Sequence, residues 1–309
     1  MLDLRLLERL DAKKRQLDAL RPLPGLAVQR LKEQILVEWI YNSNAIEGST
    51  ITLHETKLIL ETGLTIGGKS LREHFEVINH RDAIAYVEAL VDSVEPLAPY
   101  HVRQIHRLVL SRIDDEAAGS YRKTQVLIAG AAHTPPEPWL VPQQMDELGQ
   151  WLVENQGQHP VELAAQAHHR LVAIHPFVDG NGRTARLVMN LLLMRQGYPP
   201  TVILRANRKQ YYRVLAEADA GRPGPLVNFV GRAVERSLTL YLEACTPQPS
   251  QPREAETWIS LRDAAEETPY SQEYLSLLAR MGRIEAVKRG KVWFTTRQAI
   301  RQYQQSLGE

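Results

Sequence analysis

Within the twelve residues HPFVDGNGRTAR, His175 to Arg186, the chain sets an imidazole, a carboxylate, a glycine-rich turn and two guanidinium groups. A histidine before proline often caps carbonyls, and Asp-Gly or Asn-Gly often makes an ordinary turn. It is the joint spacing that points to phosphate chemistry. An imidazole titrating near ~6.5 keeps a neutral fraction at neutral pH, so His175 can take a proton from an attacking hydroxyl. Gly180-Asn181-Gly182 permits positive φ and close backbone approach, and the N–H groups from Gly180 through Thr184 then line a concavity that suits phosphate oxygens. Arg183 and Arg186, three apart on a helical turn, share a face from which to grip a polyphosphate. Asp179 offers the hard oxygen that Mg²⁺ prefers beside phosphate.

Two helices must hold these groups. Val161 to Ile174 carries apolar or small residues at helical intervals, and Pro176 pushes His175 out of the α region, so a helix ends there. Thr184 to Gln196 is an apolar helical run closed by Gly197, as a central core helix would be. Further helices are predicted at about 3–20, 26–46, 52–62, 70–92, 99–112, 142–155, 208–219 and 224–244, which makes the fold mainly α. Val126 to Trp139, with Pro135, Pro136 and Pro138, is poor helix material and suits a small β-hairpin flap over a site. The alternative is a plain surface loop.

The motif closely resembles the signature of the Fic family, H-x-F-x-[D/E]-G-N-G-R-x-x-R, every defined position of which is met. Similar features run from about Gln34 to Val234: Gly119 to Arg122 ahead of the flap-like segment, His168-His169-Arg170 before the motif and Asn207 to Tyr212 after it. The resemblance implies a protein adenylyltransferase that moves AMP from ATP to a Tyr, Thr or Ser hydroxyl. By that comparison His175 deprotonates the target, Asp179 holds Mg²⁺ on the α- and β-phosphates, and the Gly180 to Gly182 backbone forms the anion hole. Arg183 and Arg186 hold the outer phosphates, Asn207 meets the nucleoside, and Val126 to Trp139 lays the target chain across the site as an added strand. Self-modification and a homodimer stay open as further partner readings, since the sequence does not fix the oligomeric state.

A second motif bears on control. Ser43-Asn44-Ala45-Ile46-Glu47-Gly48 fits the family's inhibitory pattern, [S/T]-x-x-x-E-[G/N], at the end of a helical run in which Ser43 and Glu47 share a face. The resemblance implies that Glu47 pairs with Arg186 and takes it from the γ-phosphate. Such a charge-assisted bond is worth roughly 1.5–3 kcal/mol, enough to change nucleotide pose or affinity tenfold or more. Some relatives use the same glutamate to position water for AMP removal, so a reverse reaction is a second role for it.

Other patterns compete. Gly63-Leu64-Thr65-Ile66-Gly67-Gly68-Lys69-Ser70 formally satisfies the P-loop pattern, but Leu53 to Thr62 before it reads as helix rather than the required strand, so a turn between helices is expected. His168, His169, His175 and Asp179 can be drawn as a transition-metal site, yet adjacent helical residues point about 100° apart. Transfer of another phosphate-linked group by the same fold is a rival within the enzyme class. A DNA-binding regulator with a nucleotide-sensing core is the rival outside it.

The 309 residues, 44% of them hydrophobic, suffice for two or three domains. The proline-rich stretch 246–255 reads as an extended linker between 1–95, an N-terminal helical region with the inhibitory motif, then 96–245, the catalytic core, and a C-terminal domain at 256–309. In that last domain a short helix at Leu261 to Ala265, a helix from Ser271 to Arg280, a hairpin around Arg289-Gly290 and a final helix from Thr296 resemble a winged helix-turn-helix module. Six basic residues between Arg280 and Arg297 face Glu285 alone, so this domain suits DNA contact, with protein docking as the alternative. Elsewhere a net charge of +1 supplies no bulk field towards nucleic acid or acidic membranes. The one cysteine, Cys245, excludes an intramolecular disulfide and fits a reducing compartment. Charged residues from Arg5 to Arg15 interrupt any signal-peptide core, and no run reaches the ~18 apolar residues of a membrane helix, so the cytoplasm is expected.

Overall fold

Two S/T-x-x-E capping boxes determine where helices open after the segment Ser43 to Gly48. Thr52 with Glu55 starts α3 (Leu53–Thr62), and Ser70 with Glu73 starts α4 (Leu71–Ala89). The computed structural model describes residues 1–128, 132–245, 258–290 and 292–306, in two units, Met1–Thr246 and Pro247–Glu309. The expected linker, 246–255, lies outside the described residues.

The first unit is helical: α1 (Leu4–Ala19), α2 (Gly25–Ile46), α3, α4, α5 (Pro99–Leu110), α6 (Val141–Glu154), α7 (Pro160–Ile174), α8 (Asn181–Arg195), α9 (Arg208–Asp219) and α10 (Gly224–Cys245). Its centre is α8, which buries Leu187, Val188, Met189, Leu191 and Leu193 all round its axis, as a fully enclosed helix must. α7 lies along α8, and α4 and α5 pack on its other sides. α2 packs on α3, α4 and α10 and reaches α8 with its C-terminal turns, where Trp39 and Ile40 are sunk in the core. Gly63, at φ 70°, ends α3, and Lys69 donates to the Thr50 carbonyl at 2.7 Å, so the P-loop-like run is a helix–turn–helix corner. No helix among the described residues is long and apolar enough to cross a membrane.

Two elements of the first unit differ from expectation. α8 begins at Asn181 rather than Thr184, because Gly180 takes a left-handed N-cap conformation (φ 74°) and brings the glycine turn into the first helical turn. The flap carries no strand at 126–128 or 132–137, residues 129–131 lying outside the described residues, and Pro138–Leu140 make a short 3-10 turn. Prolines lack the N–H groups a ladder needs, so side chains hold the segment instead. Arg122 donates to the carbonyls of Thr124 and Pro136, and Gln125 donates to that of Pro135.

The second unit holds a three-stranded antiparallel sheet in the order β1 (Ile259–Ser260), β3 (Val292–Thr295), β2 (Ala286–Arg289), with α11 (Leu261–Glu266), α12 (Gln272–Arg280) and α13 (Arg297–Ser306). β1, two residues long, shows no periodicity in the sequence and was not expected. Arg289 pairs with Val292 across the hairpin tip, and Lys291 lies outside the described residues. Leu261, Leu275, Leu278, Ile284 and Ile300 form a separate small core.

Ile40 is fully buried one turn before Ser43, so it seats the end of α2. Ile40→Ala should cost about 2–5 kcal/mol of stability. A urea midpoint equal to that of the unsubstituted chain would show that α2 is not anchored there.

Candidate active site

The loop between α7 and α8 is rigid because it satisfies itself. Phe177 N–H donates to Asn181 Oδ1 at 3.0 Å while Asn181 Nδ2 returns a bond to the Phe177 carbonyl at 2.9 Å, so the Asn181 side chain braces the turn. His106 on α5 locks it from below. Its Nδ1 accepts from Gly119 N–H and its Nε2 donates to the Asp179 carbonyl, each at 2.9 Å, and its ring stacks on Phe177 at 3.6 Å. Burial pushes its pKa down to about 4, so it stays neutral with that one tautomer. Gly180 has no alternative, because a Cβ there would meet Val109 and the His106 ring at 3.3–3.4 Å in addition to the strain at φ 74°.

His175 follows the last turn of α7 in the left-handed region (φ 49°), a conformation uncommon for a side-chain-bearing residue. The turn is held by Arg122, whose Nε donates to the His175 carbonyl at 2.8 Å while its backbone N–H donates to that of Pro176 at 2.9 Å. His175 Nδ1 lies 3.2 Å from the Val172 carbonyl, which can only accept. The proton therefore sits on Nδ1, and Nε2 keeps its lone pair. Burial lowers the pKa of this imidazole below the ordinary histidine value, against smaller opposing effects of the Val172 carbonyl, Glu47 and Asp179.

Glu47 caps α2 and reaches α8. Its Oε1 lies 2.8 Å from Arg186 Nη1 as an ion pair, while Arg186 Nε donates to Ser43 Oγ at 3.1 Å and Nη2 to the Ser43 carbonyl at 2.8 Å. Arg186 is buried, which disfavours its charge. The Glu47 carboxylate and Tyr211 outweigh that and raise its pKa. The same Glu47 oxygen would lie 2.3 Å from a Cβ on Gly182, so the carboxylate rests directly on the glycine turn. Asn181, Gly182 and Arg183 open α8, where N–H groups have no acceptor within the helix. Gly48, at φ 109°, turns the chain away immediately after.

Asp179 is half exposed, and its carboxylate accepts from its neighbour Gly180 N–H at 2.6 Å and from Arg72 Nη2 at 2.5 Å. Burial acts to raise its pKa, but Arg183, the Gly180 N–H and Arg72 together pull it below the usual carboxylate value. Among the described residues no group of three or more His, Cys, Asp or Glu could hold a metal ion. A single carboxylate beside an anion hole fits Mg²⁺, which takes most of its oxygens from water and phosphates. It does not fit a dedicated transition-metal cage. His168 and His169 go elsewhere, His168 Nε2 to Tyr211 Oη and His169 Nε2 to Asp219, each at 2.8 Å.

Three expected contacts take a different form. The N–H groups of Gly180 and Thr184 are occupied, by Asp179 and by the Gly180 carbonyl at 3.0 Å, so the open amides are those of Asn181 to Arg183. Thr184 itself is fully buried. Asn207 sits on the exposed 3-10 turn Arg205–Asn207 and lines a cavity of about 150 Å³ with Phe229, Arg232 and Arg236, none of them in the motif. The residues after it come closer: Arg208 Nε donates to the Ile46 carbonyl at 2.7 Å, and the charges of Glu47 and Arg186 act on Tyr212. His106 and Arg72 carry roles here that no local sequence pattern announced, and Arg122 ends the Gly119 to Arg122 run whose contact to His175 the sequence did not announce.

Comparison with known proteins points to one family. Residues 96–193 match the Fic/DOC family. A relative from Nematostella vectensis, described as protein adenylyltransferase Fic, is 41% identical over 251 residues, 80% of this chain and 58% of that protein. The chain thus spans between half and three fifths of the length of such curated relatives. A Fic domain containing signaling protein from Bacteroides thetaiotaomicron superposes with TM-score 0.72 at 31% identity, covering 77% of this chain and 97% of that one. Fic-1 from C. elegans superposes with TM-score 0.71 at 34% identity, covering 77% and 72%.

The neutral, buried His106 makes the loop sensitive to acid. Its folded pKa of about 4 lies beneath an unfolded value near 6.5, so the unfolded chain binds the proton first. The stability this gives is complete above about pH 6.5 and lost as pH falls towards 4, on the order of 3 kcal/mol. His106→Gln, which cannot titrate, should flatten the pH dependence of the urea midpoint across that window. Parallel curves for the two proteins would contradict it.

Proposed function

The chain belongs to the Fic/DOC family, and on that premise we propose that it is a self-inhibited protein adenylyltransferase, with ATP as donor and a Tyr, Thr or Ser hydroxyl of a protein as acceptor. The observation that carries this reading is that Glu47, whose charge acts on His175, meets both Arg186 and the Gly182 position on the first turn of α8. In the reaction His175 Nε2 takes the hydroxyl proton, the hydroxyl oxygen bonds to the α-phosphorus, and the bond from that phosphorus to the bridging oxygen breaks, releasing pyrophosphate. The amides of Asn181 to Arg183 receive the charge that builds on the phosphate oxygens, and Arg183 and Arg186 hold the outer phosphates. Asp179 would hold Mg²⁺, which would supply charge neutralisation to the α- and β-phosphates. The segment 126–139 positions the target chain, and the chain itself is one acceptor. Both arginines in place favour AMP transfer over transfer of another phosphate-linked group.

Glu47 is the inhibitor in this reading. It occupies the guanidinium and the glycine turn that a γ-phosphate needs, so nucleotide binds productively only when α2 releases it. The same carboxylate, poised over the anion hole, also suits activation of water for AMP removal.

By domain, 1–95 carries the inhibitor, 96–245 the chemistry, and 256–309 a winged helix-turn-helix accessory module. On that module α12 exposes Tyr274 and Leu277 together with Arg280, a mixed face that suits a protein partner as well as DNA. The single reduced cysteine, Cys245, fits work in the cytoplasm.

With Mg²⁺ and ATP labelled at the α-phosphate, Glu47→Gly should label protein at least about tenfold more than the unsubstituted chain. Adding His175→Ala should abolish the label, and γ-labelled ATP should leave none. Its rate should fall in acid along a limb lying below pH ~6.5, as the lowered His175 pKa requires. Equal labelling with and without Glu47 would end the inhibitory assignment, and transfer of γ-label would end the adenylyl one.

A further inference from the structure

The charges around Asp179 lead one step beyond the function proposed above, on whose assignment of Asp179 to the metal this inference rests. Two guanidinium groups meet this carboxylate, and they are unequal. Arg183 is buried, lies 3.6 Å from Asp179 Oδ2 and is held on its other side by Glu76 at 3.2 Å. Arg72 Nη2 sits 2.5 Å from the same Asp179 oxygen, yet its side chain is 56% exposed. It also approaches the Glu76 oxygen used by Arg183, at 3.5 Å. Arg183 cannot leave without stranding a buried charge, whereas Arg72 can turn into water at little cost.

The position of Arg72 is built rather than incidental. It is the second residue of α4, whose start is secured by the Ser70–Glu73 capping box and, through Glu73, by bonds from Thr50 N–H and Oγ1 at 2.7 and 2.8 Å. A cation in the first turn of a helix is opposed by the helix dipole, so Arg72 depends on the carboxylates it faces.

We propose that Arg72 is a removable counter-ion for Asp179: its guanidinium takes the cation position when no divalent ion is present and competes with Mg²⁺ for the carboxylate. Nucleotide loading then depends on Mg²⁺ over a higher range than a bare carboxylate would set. Competition from an exposed ion pair amounts to about two- to fivefold in an equilibrium.

The test is calorimetric titration of the full chain carrying Glu47→Gly with α,β-methylene-ATP, whose α–β bridge cannot be cleaved, across a series of Mg²⁺ concentrations. Arg72→Gln should lower the half-saturating Mg²⁺ about two- to fivefold, with Arg72→Lys in between. Metal-free affinity for the analogue should stay equal or fall, since removing a positive charge cannot strengthen phosphate binding directly. An unchanged or higher half-saturating Mg²⁺ overturns the proposal, as does an equal rise in metal-free affinity. Asp179→Asn separates the premise: it should erase the Mg²⁺ dependence, and if that dependence persists, the metal does not sit on Asp179 at all.

Discussion

Arg186 is buried in the heart of the protein, and a buried guanidinium must be partnered at every moment. In the resting arrangement Ser43 and Glu47 supply those partners, from a helix 143 residues earlier in the chain. In the proposed reaction a phosphate supplies them instead. The architecture follows from that constraint: α2 must be seated firmly enough to deliver Glu47, and α8 must be enclosed enough that no water substitutes for either anion. A charge that cannot go unpaired turns binding of one anion into departure of the other.

A rigid platform underlies the exchange. His106, Phe177, Asn181 and Arg122 hold the loop from His175 to Gly180 by bonds that do not involve any ligand. In the proposed reaction the open amides are therefore in place before phosphate arrives, so little reorganisation is left for the moment of transfer. Neutrality of His106 is part of that rigidity, since a proton on Nδ1 would expel the Gly119 N–H it accepts.

Most of this was legible in the sequence, for identifiable reasons. The helices of the first unit match their expected spans closely because their apolar residues recur at helical intervals over three or more turns. The motif was legible because its chemistry is contiguous, and Ser43 with Glu47 because a four-residue step shares one face. What escaped has its meaning only across the fold. His106 acts on Asp179 from 73 residues away, Arg122 on His175 from 53, and Arg72 on Asp179 from 107. No local pattern distinguishes His106 or Arg72 from a helical histidine or a surface arginine, and the Gly119 to Arg122 run does not say what Arg122 touches. The start of α8 was misplaced because a glycine turn reads as loop, although a left-handed Gly180 makes it the helix's own opening. The flap's strands were inferred from poor helix propensity, which does not say what replaces a helix.

The crowded space above Gly182 has a consequence for inheritance. In the proposed reaction phosphate and Glu47 use the same hollow, and a methyl group at position 182 would meet the Glu47 carboxylate and the Arg186 guanidinium, so a side chain there would crowd both anions at once. On that reading, alleles that leave transfer permanently switched on should cluster in the far-off helix bearing Ser43 and Glu47 rather than at the glycine, where a side chain would hinder the nucleotide as well as Glu47.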